Sequence, residues 1–489
     1  MGKNIRAYKH LINGEWVGSQ HIIERMSPAT GQAVATFANG TNNELEMAID
    51  SARAAFDDGL WPKMSGNKRS QYLRRWADKI SENKEQLIQI EVEETGKAIK
   101  YARGDIEGSI GLIEYAASLA QTVHGKSFSN FGDEYTGLTL REPVGVVGLI
   151  VPWNFPALIF CQKVPFALAA GCTVVVKPSE FTSGTALEMS KLAEEVGIPK
   201  GVINVVTGYG DPVGSGLVTS EKVDRVSFTG STRTGKSVIR NSAETIKPVA
   251  VELGGKSAIT VFADADIDDA VDGVVFGINF NQGEVCVSTS RLIIEESIAD
   301  EFLQKLVTKV KNLKVGNPFS EETDLGSLIH QEHLNKVLEY IQFGQEDGAT
   351  LLTGGKQIKV DGSSCYIEPT IFDHVQENHR IFQEEIFGPV LSVIRFNGVE
   401  DAIRKVNNTV YGLANSIWTK NINQALTMSK AIKSGTVWVN TIIDGPAQLP
   451  LGGYKASGFG KEMGEEGMEE FTQIKSINIF TGKRNHYFM

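Results

Sequence analysis

Residues 144–156 read VGVVGLIVPWNFP, and this stretch decides the fold. The run from Val144 to Val151 contains only apolar residues and glycine, and it ends at Pro152. A short β-branched run without polar alternation is typical of a strand that is covered on both faces of a parallel sheet. The turn Pro152–Pro156 therefore follows the carboxyl end of a strand, where ligand sites of open α/β sheets form.

Similar runs recur along the chain and alternate with helical patterns. Glu44–Phe56 and Arg69–Val92 carry apolar residues at helical spacing, and each predicts an amphipathic helix. Helical crossovers between parallel strands imply βαβ units, so we predict two α/β domains that meet near Glu252–Lys256. The further predicted strands are Thr173–Val176, Val202–Val206, Val223–Phe228, Ala258–Phe262, Arg291–Ile294, Val390–Phe396 and Thr436–Val439.

Two segments fit neither domain. Phe128–Arg141 and Phe471–Phe480 alternate apolar and polar residues, which predicts the strands of a small arm. An arm with unpaired strand edges tends to find a second chain. We therefore expect a homodimer or a homotetramer.

Composition excludes several classes of protein. The 489 residues are 41% hydrophobic and 22% charged, with a net charge of -11, which disfavours nucleic acid and anionic membranes as partners. The longest apolar run is too short to span a bilayer, and the N-terminus lacks the apolar core of a secretory signal, so we expect a soluble cytoplasmic protein. The spacing of Cys161, Cys172, Cys286 and Cys365 fits no zinc site or disulfide framework, and no metal is expected.

A glycine motif leaves two functions open. Residues 230–237, GSTRTGKS, match the P-loop pattern and follow the predicted strand Val223–Phe228. Ala258–Phe262 with Asp264 resembles the strand and acid that help to hold Mg²⁺ in a P-loop NTPase. The same turn at a helix N-terminus also binds other phosphates, including those of a dinucleotide, although G-x-G-x-x-G is absent.

Three residues form a candidate catalytic set. Cys286 follows the turn-forming Gly283, although a lone cysteine is more often a small buried apolar residue. Glu252 precedes two glycines, where partial burial would raise its pKa towards that of a general base, or it merely caps a turn. Asn154 follows the strand end and is a candidate oxyanion donor, or it only satisfies backbone groups.

The chain resembles the aldehyde dehydrogenase superfamily from about Ile12 to Ile479. The blocks that carry the resemblance, in order, are PWNFP (152–156), KPSE (177–180), FTGST (228–232), ELGGK (252–256), FNQGEVC (280–286), EEIFGPV (384–390) and LGGYKASG (451–458). The resemblance makes the P-loop match a coincidence inside FTGST. The block FNQGEVC is similar to that of betaine and aminoaldehyde dehydrogenases.

The resemblance implies a fold with three parts. These are a Rossmann-like cofactor domain (1–126 and 142–254), an α/β catalytic domain (255–440) and a small β oligomerisation arm (127–141 and 470–489). Residues 441–469 return to the cofactor domain.

The resemblance also implies a role for each residue of the catalytic set. Cys286 attacks the aldehyde and forms a thiohemiacetal and then a thioester. The Asn154 side chain and the Cys286 backbone N–H hold the oxyanion, and Glu252 activates the hydrolytic water. Lys163 and Glu462 would relay the proton away.

The implied cofactor is NAD, with NADP less favoured because the Glu180 carboxylate would repel a 2′-phosphate. Lys177 and Glu180 would hold the adenine ribose, Gly230 and Ser231 the diphosphate, and Glu385 the nicotinamide ribose. The remaining implied cofactor contacts are Ile150, Trp153, Leu253 and Phe387.

Three alternative functions stay open on the residues. A CoA-acylating relative would share Cys286, but such relatives often lack the base that Glu252 supplies here. A P-loop NTPase would not need the cysteine. A non-catalytic relative would bind NAD and make no NADH.

The substrate pocket follows from the resemblance alone. Because it contains no arginine, a carboxylate-bearing semialdehyde is disfavoured. Asp105, Glu107 and Asp444 favour an ω-amino or other small aldehyde, although the aromatic residue expected soon after Asn440 is missing. The implied lining is Phe155, Ile159, Gln162, Phe280, Val285, Val287, Ile443, Asp444 and Leu451.

Overall fold

The larger of two sheets positions the turn that follows residue 150. The computed structural model describes residues 5–484 and residue 488; the parts of the expected terminal segments at 1–4, 485–487 and 489 lie outside the described residues. Five central strands of this sheet are parallel, and the three strands at its edges are antiparallel. In order across the sheet, the strands are Gly458–Phe459, Val249–Glu252, Arg225–Thr229, Val146–Ile150, Thr173–Lys177, Ile203–Val205, His10–Ile12 and Glu15–Val17.

The register of this sheet gathers the ends of its parallel strands. Ile150 pairs with Lys177 on one side and with Phe228 on the other. Thr229 pairs with Glu252. The carboxyl ends of four strands therefore lie along one edge, as a ligand site in an open sheet requires.

The second sheet has seven strands, and all but one of its neighbouring pairs are parallel. Its β-branched strands are buried on both faces, as expected of a parallel sheet between helices. In order, the strands are Thr350–Thr353, Thr370–Asp373, Val390–Phe396, Arg291–Glu295, Ala258–Val261, Ala414–Trp418 and Thr436–Val439. The predicted fold class, two α/β parts with a small β arm, is confirmed.

One central strand, Ala414–Trp418, has no counterpart among the predicted strands. Its polar Asn415 and Ser416 are buried, which breaks the apolar pattern. Both side chains are hydrogen-bonded: Asn415 Oδ1 accepts from the Ala258 amide of the neighbouring strand at 2.9 Å, and Ser416 Oγ donates to the Thr441 carbonyl, just beyond the sheet, at 2.8 Å. Partnered polar groups can be buried at little cost, so apolar periodicity alone misses this strand.

The arm is a three-stranded antiparallel sheet. Tyr135–Pro143 is its middle strand, between Thr472–Phe480 and Ser127–Phe128. The segment predicted as Phe128–Arg141 is therefore two strands. The outer strand keeps Ile474 largely exposed.

Two smaller sheets complete the β structure. Arg6–Tyr8 and Ile22–Met26 flank Ala33–Ala38, and Gln357–Val360 pairs with Ser363–Ile367.

Helices cover both large sheets. The first begins after Thr41, whose side chain and that of Glu44 form a capping box. The helix predicted over Arg69–Val92 is wrong in one respect, because it is two helices that end and begin at Asn83. The α-helices are Asn42–Asp57, Gly66–Glu82, Lys84–Thr95, Ile99–Leu119, Pro156–Ala170, Gly184–Glu195, Ser215–Thr219, Thr232–Ser242, Ile267–Asn279, Ala299–Lys311, Gln331–Glu346, Arg380–Gln383, Val399–Asn407, Ile422–Ala431 and Gly464–Glu469.

The expected domain limits fall between these sheets. We propose that the two large sheets define the two domains, with the change between Glu252, the last residue of one strand, and Ala258, the first of another. The proposed return segment contains Gly458–Phe459, which pairs with the cofactor-domain sheet. Over residues 5–484 and 488, none of the helices combines the length and the apolar character that a bilayer span needs.

Candidate active site

Cys286 lies where two cavities meet. The larger cavity has a volume of about 630 Å³ and the smaller one about 190 Å³. Cys286 and Glu252 line both, and the two cavities share no other lining residue. A group bound in either cavity therefore reaches the same sulfur atom.

The loop before Cys286 is a tight left-handed turn. Asn281, Gln282 and Gly283 have φ values of 47°, 54° and 73°, a region that non-glycine residues rarely adopt. The turn is held by Asn281, whose Nδ2 donates to the Asn154 carbonyl at 3.1 Å and to the Glu284 carbonyl at 3.2 Å. Hydrogen-bonded strain of this kind clusters at functional sites.

Asn154 lies on the cofactor side of the nucleophile. Its Nδ2 donates to the backbone carbonyl of Glu284 at 3.0 Å, and the side chain is buried. A primary amide has two N–H donors, so one remains for a ligand. The bond to Glu284 fixes the amide to the same loop that carries Cys286.

Glu252 ends a parallel strand and is buried beside the thiol. Burial, reinforced by the Glu462 carboxylate, raises the pKa of Glu252 to about 8, while Lys163 acts in the opposite direction. Its carboxyl group also lies beside the Cys286 thiol, at the wall that the two cavities share. A carboxyl group that titrates near neutral pH in contact with a nucleophile is suited to general base catalysis.

The thiol of Cys286 is held in its neutral form at rest. Burial, and then the charge of Glu252, raises its pKa well above the ordinary value. The nucleophile therefore depends on proton removal by a neighbour. Burial also raises the pKa of Cys172 to about 11, and Cys161 is fully buried, so neither of these thiols competes.

Lys163 and Glu462 form a buried ion pair behind Glu252. Lys163 Nζ also donates to Ser227 Oγ at 2.8 Å, and Thr229 Oγ1 donates to Glu462 Oε1 at 3.2 Å. Ser227 and Thr229 belong to the strand beside that of Glu252. The structure thus brings both predicted relay residues next to the general base.

The phosphate turn differs from a P-loop. The helix starts at Thr232, directly after Gly230 and Ser231, and Ser231 Oγ caps it by accepting from the Thr234 amide at 3.2 Å. Gly235 lies inside this helix, so the stretch between the two glycines is no phosphate-wrapping loop. The P-loop alternative is wrong, because its local match falls on helical residues.

The lining of the smaller cavity suits the phosphate and ribose groups of a dinucleotide. Trp153, Gly230, Ser231, Glu385 and Phe387 line it, at a helix start whose first-turn amides favour anions. Glu385 accepts from the Gly255 amide at 3.0 Å.

That approach of Glu385 requires a glycine beside it. A Cβ atom on Gly254 would lie 2.2 Å from Glu385 Oε2. The backbone therefore leaves this carboxylate room to reach a ribose.

The other implied cofactor residues lie on the adjacent sheet edge. Lys177 Nζ and Glu180 Oε2 form an ion pair at 3.2 Å. Ile150 is opposite Lys177 in the sheet, and Leu253 is buried against the phosphate-turn helix at Gly235. These four residues do not line the smaller cavity.

All nine residues expected in the substrate pocket line the larger cavity. Asp105 lines it too, but its carboxylate forms an ion pair with the buried Lys97. Glu107 is not among the residues that line the cavity, and its Oε1 lies 3.8 Å from Lys84 Nζ.

Two residues that the motifs do not single out connect the parts of this site. Glu284 Oε1 accepts from the Ile329 amide at 2.9 Å and lies 3.7 Å from His333 Nε2. His333 lines the smaller cavity and contacts the rings of Trp153 and Phe387. A single histidine at the start of a helix carries no local signal, so the sequence offered none for His333.

Metal ligands are not grouped at this site: in the described ranges 5–484 and 488, no cluster of three His, Cys, Asp or Glu residues has metal-binding geometry.

Comparisons with known proteins agree with this geometry. The model of the "Aldehyde dehydrogenase family" matches residues 16–477. A crystal structure of an NAD-dependent aldehyde dehydrogenase from Sinorhizobium meliloti is 43% identical, with a TM-score of 0.97, and the match covers 99% of this chain and 96% of that one. Betaine aldehyde dehydrogenase from Staphylococcus aureus, in complex with NAD+, is 38% identical with a TM-score of 0.96 over 98% and 96% of the chains. A peroxisomal aminoaldehyde dehydrogenase of Pisum sativum is 38% identical over 98% and 97%.

Proposed function

Because the chain belongs to the aldehyde dehydrogenase family and is an NAD-dependent enzyme that oxidises aldehydes, we propose that it does so through a thioester on Cys286 that water hydrolyses to a free acid. The observation that carries this proposal is the contact between the Cys286 thiol and the Glu252 carboxyl group at the wall shared by the two cavities.

The first step is deprotonation of Cys286 by Glu252. Above its pKa, the Glu252 carboxylate accepts the thiol proton, and the sulfur attacks the aldehyde carbon. The resulting oxyanion is held by the free N–H of Asn154 and the backbone N–H of Cys286. Bound NAD supplies a hydride acceptor, which leaves an acyl group on the sulfur.

The second step needs a base next to the thioester. Glu252 Oε1 is buried and has no hydrogen-bond partner in the structure, so it is placed to orient and deprotonate a water molecule. Hydroxide addition to the thioester and loss of the thiolate give the acid. The presence of this base favours hydrolysis over transfer to CoA.

The proton that Glu252 accepts in each step leaves, before the next step, through the charged pair behind this residue. Glu462 Oε2 is also buried without a partner, and its other oxygen contacts Lys163 and Thr229. A carboxylate with one free oxygen beside a second buried carboxyl group can pass a proton through one bridging water. We propose Lys163 and Glu462 as this relay.

The cofactor contacts follow the two edges of the smaller cavity. We propose that Gly230 and Ser231 contact the diphosphate, that Glu385 holds the nicotinamide ribose beside Phe387, and that Lys177 and Glu180 hold the adenine ribose. Trp153, Ile150 and Leu253 would pack against the dinucleotide.

The names of two relatives favour one class of substrate, aldehydes that carry a cationic nitrogen. Betaine aldehyde and aminoaldehydes carry a cationic nitrogen, and Asp444 is an exposed carboxylate at the larger cavity. An ω-amino or other small aldehyde is therefore a candidate substrate.

We further propose a cytoplasmic homo-oligomer, which the outer edges of the arm would join.

The test is an NADH-formation screen over a panel of aldehydes with Cys286→Ala. We expect NADH from the wild type and none from the variant, with one acid formed for each NADH. Cys365→Ala is the matched control, because Cys365 is a second partly accessible thiol that lines neither cavity. Equal NADH formation by Cys286→Ala would refute the proposal; a wild type that binds NAD without forming NADH would favour the non-catalytic alternative.

A further inference from the structure

The larger cavity is lined mostly by carbon. Most of its lining side chains are aliphatic or aromatic, among them Leu112, Leu158 and Met463. Apart from the shared Glu252 and Cys286, the polar lining residues are Asp105, Gln162, Thr436, Asp444 and Gln448. A wall of this kind binds by removing apolar surface of the ligand from water.

One side of this wall is a ladder of aromatic rings. The ring centroids of Phe155 and Phe280 are 5.7 Å apart with an interplanar angle of 31°, and those of Phe276 and Phe280 are 4.9 Å apart at 26°. Tyr101 braces Phe280 edge-on at 4.9 Å. The three phenylalanines all line the cavity, so they form a continuous aromatic part of its wall.

The first of these rings already has a cation beside it. Lys97 Nζ lies 4.4 Å from the ring centroid of Phe155, and the lysine side chain is fully buried. The same ammonium is paired with Asp105 and lies 3.2 Å from Glu91 Oε1. Phe155 therefore already interacts with an internal cation, so its ring is less available for a cation–π contact with a cationic substrate.

The acidic residues near the cavity would attract a cationic substrate only weakly. Asp105 is neutralised by Lys97. Asp444 is exposed, and its carboxylate accepts from the Gly445 amide at 2.8 Å and from Thr441 Oγ1 at 3.2 Å. A solvated, hydrogen-bonded carboxylate attracts a cation only weakly.

From these contacts we propose that the substrate is an uncharged apolar aldehyde whose chain or ring lies along Phe155, Phe280 and Phe276, and that cationic aldehydes are discriminated against. The proposal rests on the proposed function of Cys286. The names of the betaine and aminoaldehyde relatives suggest a cationic substrate instead. Here, however, the cation next to Phe155 is supplied by Lys97 of the enzyme and not by the substrate.

The decisive test compares two aldehydes of the same shape that differ in charge. Betaine aldehyde and 3,3-dimethylbutanal differ by one trimethylammonium nitrogen in place of carbon, and 3-aminopropanal and butanal form a second pair. We expect kcat/KM with the full-length enzyme and NAD+ to be at least tenfold higher for the neutral member of each pair. It should also rise up to about fourfold per methylene from butanal to hexanal. Equal or higher values for the cationic members would overturn the proposal.

Two variants test which residues of the cavity determine the preference for uncharged, apolar aldehydes. Phe276→Ala should lower kcat/KM for octanal more than for butanal, because only the longer chain reaches that ring. Asp444→Asn should change the charge preference by less than about threefold; a tenfold loss confined to the cationic aldehydes would overturn the proposal. If no aldehyde yields NADH through Cys286, the proposed function fails instead, so the two failures are distinguishable.

Discussion

Nε2 of His333 lies 2.7 Å from the backbone carbonyl oxygen of Phe387. A carbonyl can only accept, so His333 carries its proton on Nε2, and burial lowers its pKa to about 4, which keeps the ring neutral. Phe387 has a φ of 64°, and this bond orients its backbone. His333 is thus a positioning residue for the loop of Glu385.

We expect His333→Ala to lower kcat/KM for NAD+ about tenfold, the loss of one buried hydrogen bond. The isotope effect with aldehyde deuterated at the reacting carbon should rise, because a displaced loop slows hydride transfer. His333→Gln keeps a hydrogen-bond donor, so its kcat/KM for NAD+ and its isotope effect should lie closer to the wild-type values than those of His333→Ala. An unchanged isotope effect with a lower melting temperature would indicate a purely structural role.

Glu252→Gln should stop the reaction after the first turnover. Without the base, hydrolysis should slow by roughly 10²–10⁴-fold, although loss of thiol deprotonation also slows acylation. Stopped-flow absorbance should show at most one NADH per site, and mass spectrometry an acyl group on Cys286. Rapid steady-state turnover by the variant would contradict the role.

The pH dependence follows from the same carboxyl group. Because the pKa of Glu252 is raised to about 8, the group is protonated and unable to act as base below that pH. The turnover rate should therefore rise with pH through about 8 and level off above it. A profile that is flat from pH 6 to 9 would contradict this assignment, and the Glu252→Gln variant supplies the comparison.

Asn154→Ala should lower kcat by roughly 10²–10³-fold, as expected when one oxyanion donor is removed. The variant also loses the bond to the Glu284 carbonyl, so the position of the loop needs its own check. Alkylation of Cys286 by iodoacetamide supplies it and should keep its wild-type rate. A large change in alkylation would show that Asn154 mainly holds the loop.

Glu180 should direct the choice between the two dinucleotides. We expect higher kcat/KM with NAD+ than with NADP+, and Glu180→Ala should narrow the ratio by removing the carboxylate that repels a 2′-phosphate. Parallel steady-state assays with both cofactors measure this. Values for NADP+ that equal or exceed those for NAD+ in the wild type would refute it.

Gly254→Ala should raise KM for NAD+ with little effect on folding. The added Cβ would lie 2.2 Å from Glu385 Oε2, so the carboxylate must turn away. Gly104→Ala is the matched control, since a Cβ there meets nothing within 4 Å and alanine suits the interior of the helix Ile99–Leu119. Equal KM values for the two variants would show that Glu385 is not a cofactor contact.

The sequence predicted what depends on local pattern. Mostly apolar, β-branched runs such as Val390–Phe396 became strands with the predicted bounds. Ala414–Trp418 was not predicted because its polar residues find partners on a neighbouring strand and in the segment after another strand, which local pattern does not show. The break at Asn83 escaped because both flanking helices continue the same apolar periodicity.

In the candidate site too, local sequence predicts some features, whereas others depend on the fold. Motifs located Cys286 and Glu252, but the charge at the larger cavity depends on Lys97, which neutralises Asp105 from another turn of the chain. Counting acids along the sequence therefore overstated the attraction for a cation. The net charge of a site depends on which of its charged side chains are paired, and the fold determines that pairing.

The two cavities that share only Cys286 and Glu252 also affect the order of events in a catalytic cycle. The larger one reaches the surface beside the exposed Leu449, and the smaller one beside Ser231 and Lys336. If the nucleotide binds in the smaller cavity as proposed, the carboxylic acid would be able to diffuse away while the nucleotide stays bound. An electrophile shaped like the aldehyde would then capture the sulfur without displacing the nucleotide, so added NAD would not protect the enzyme from it.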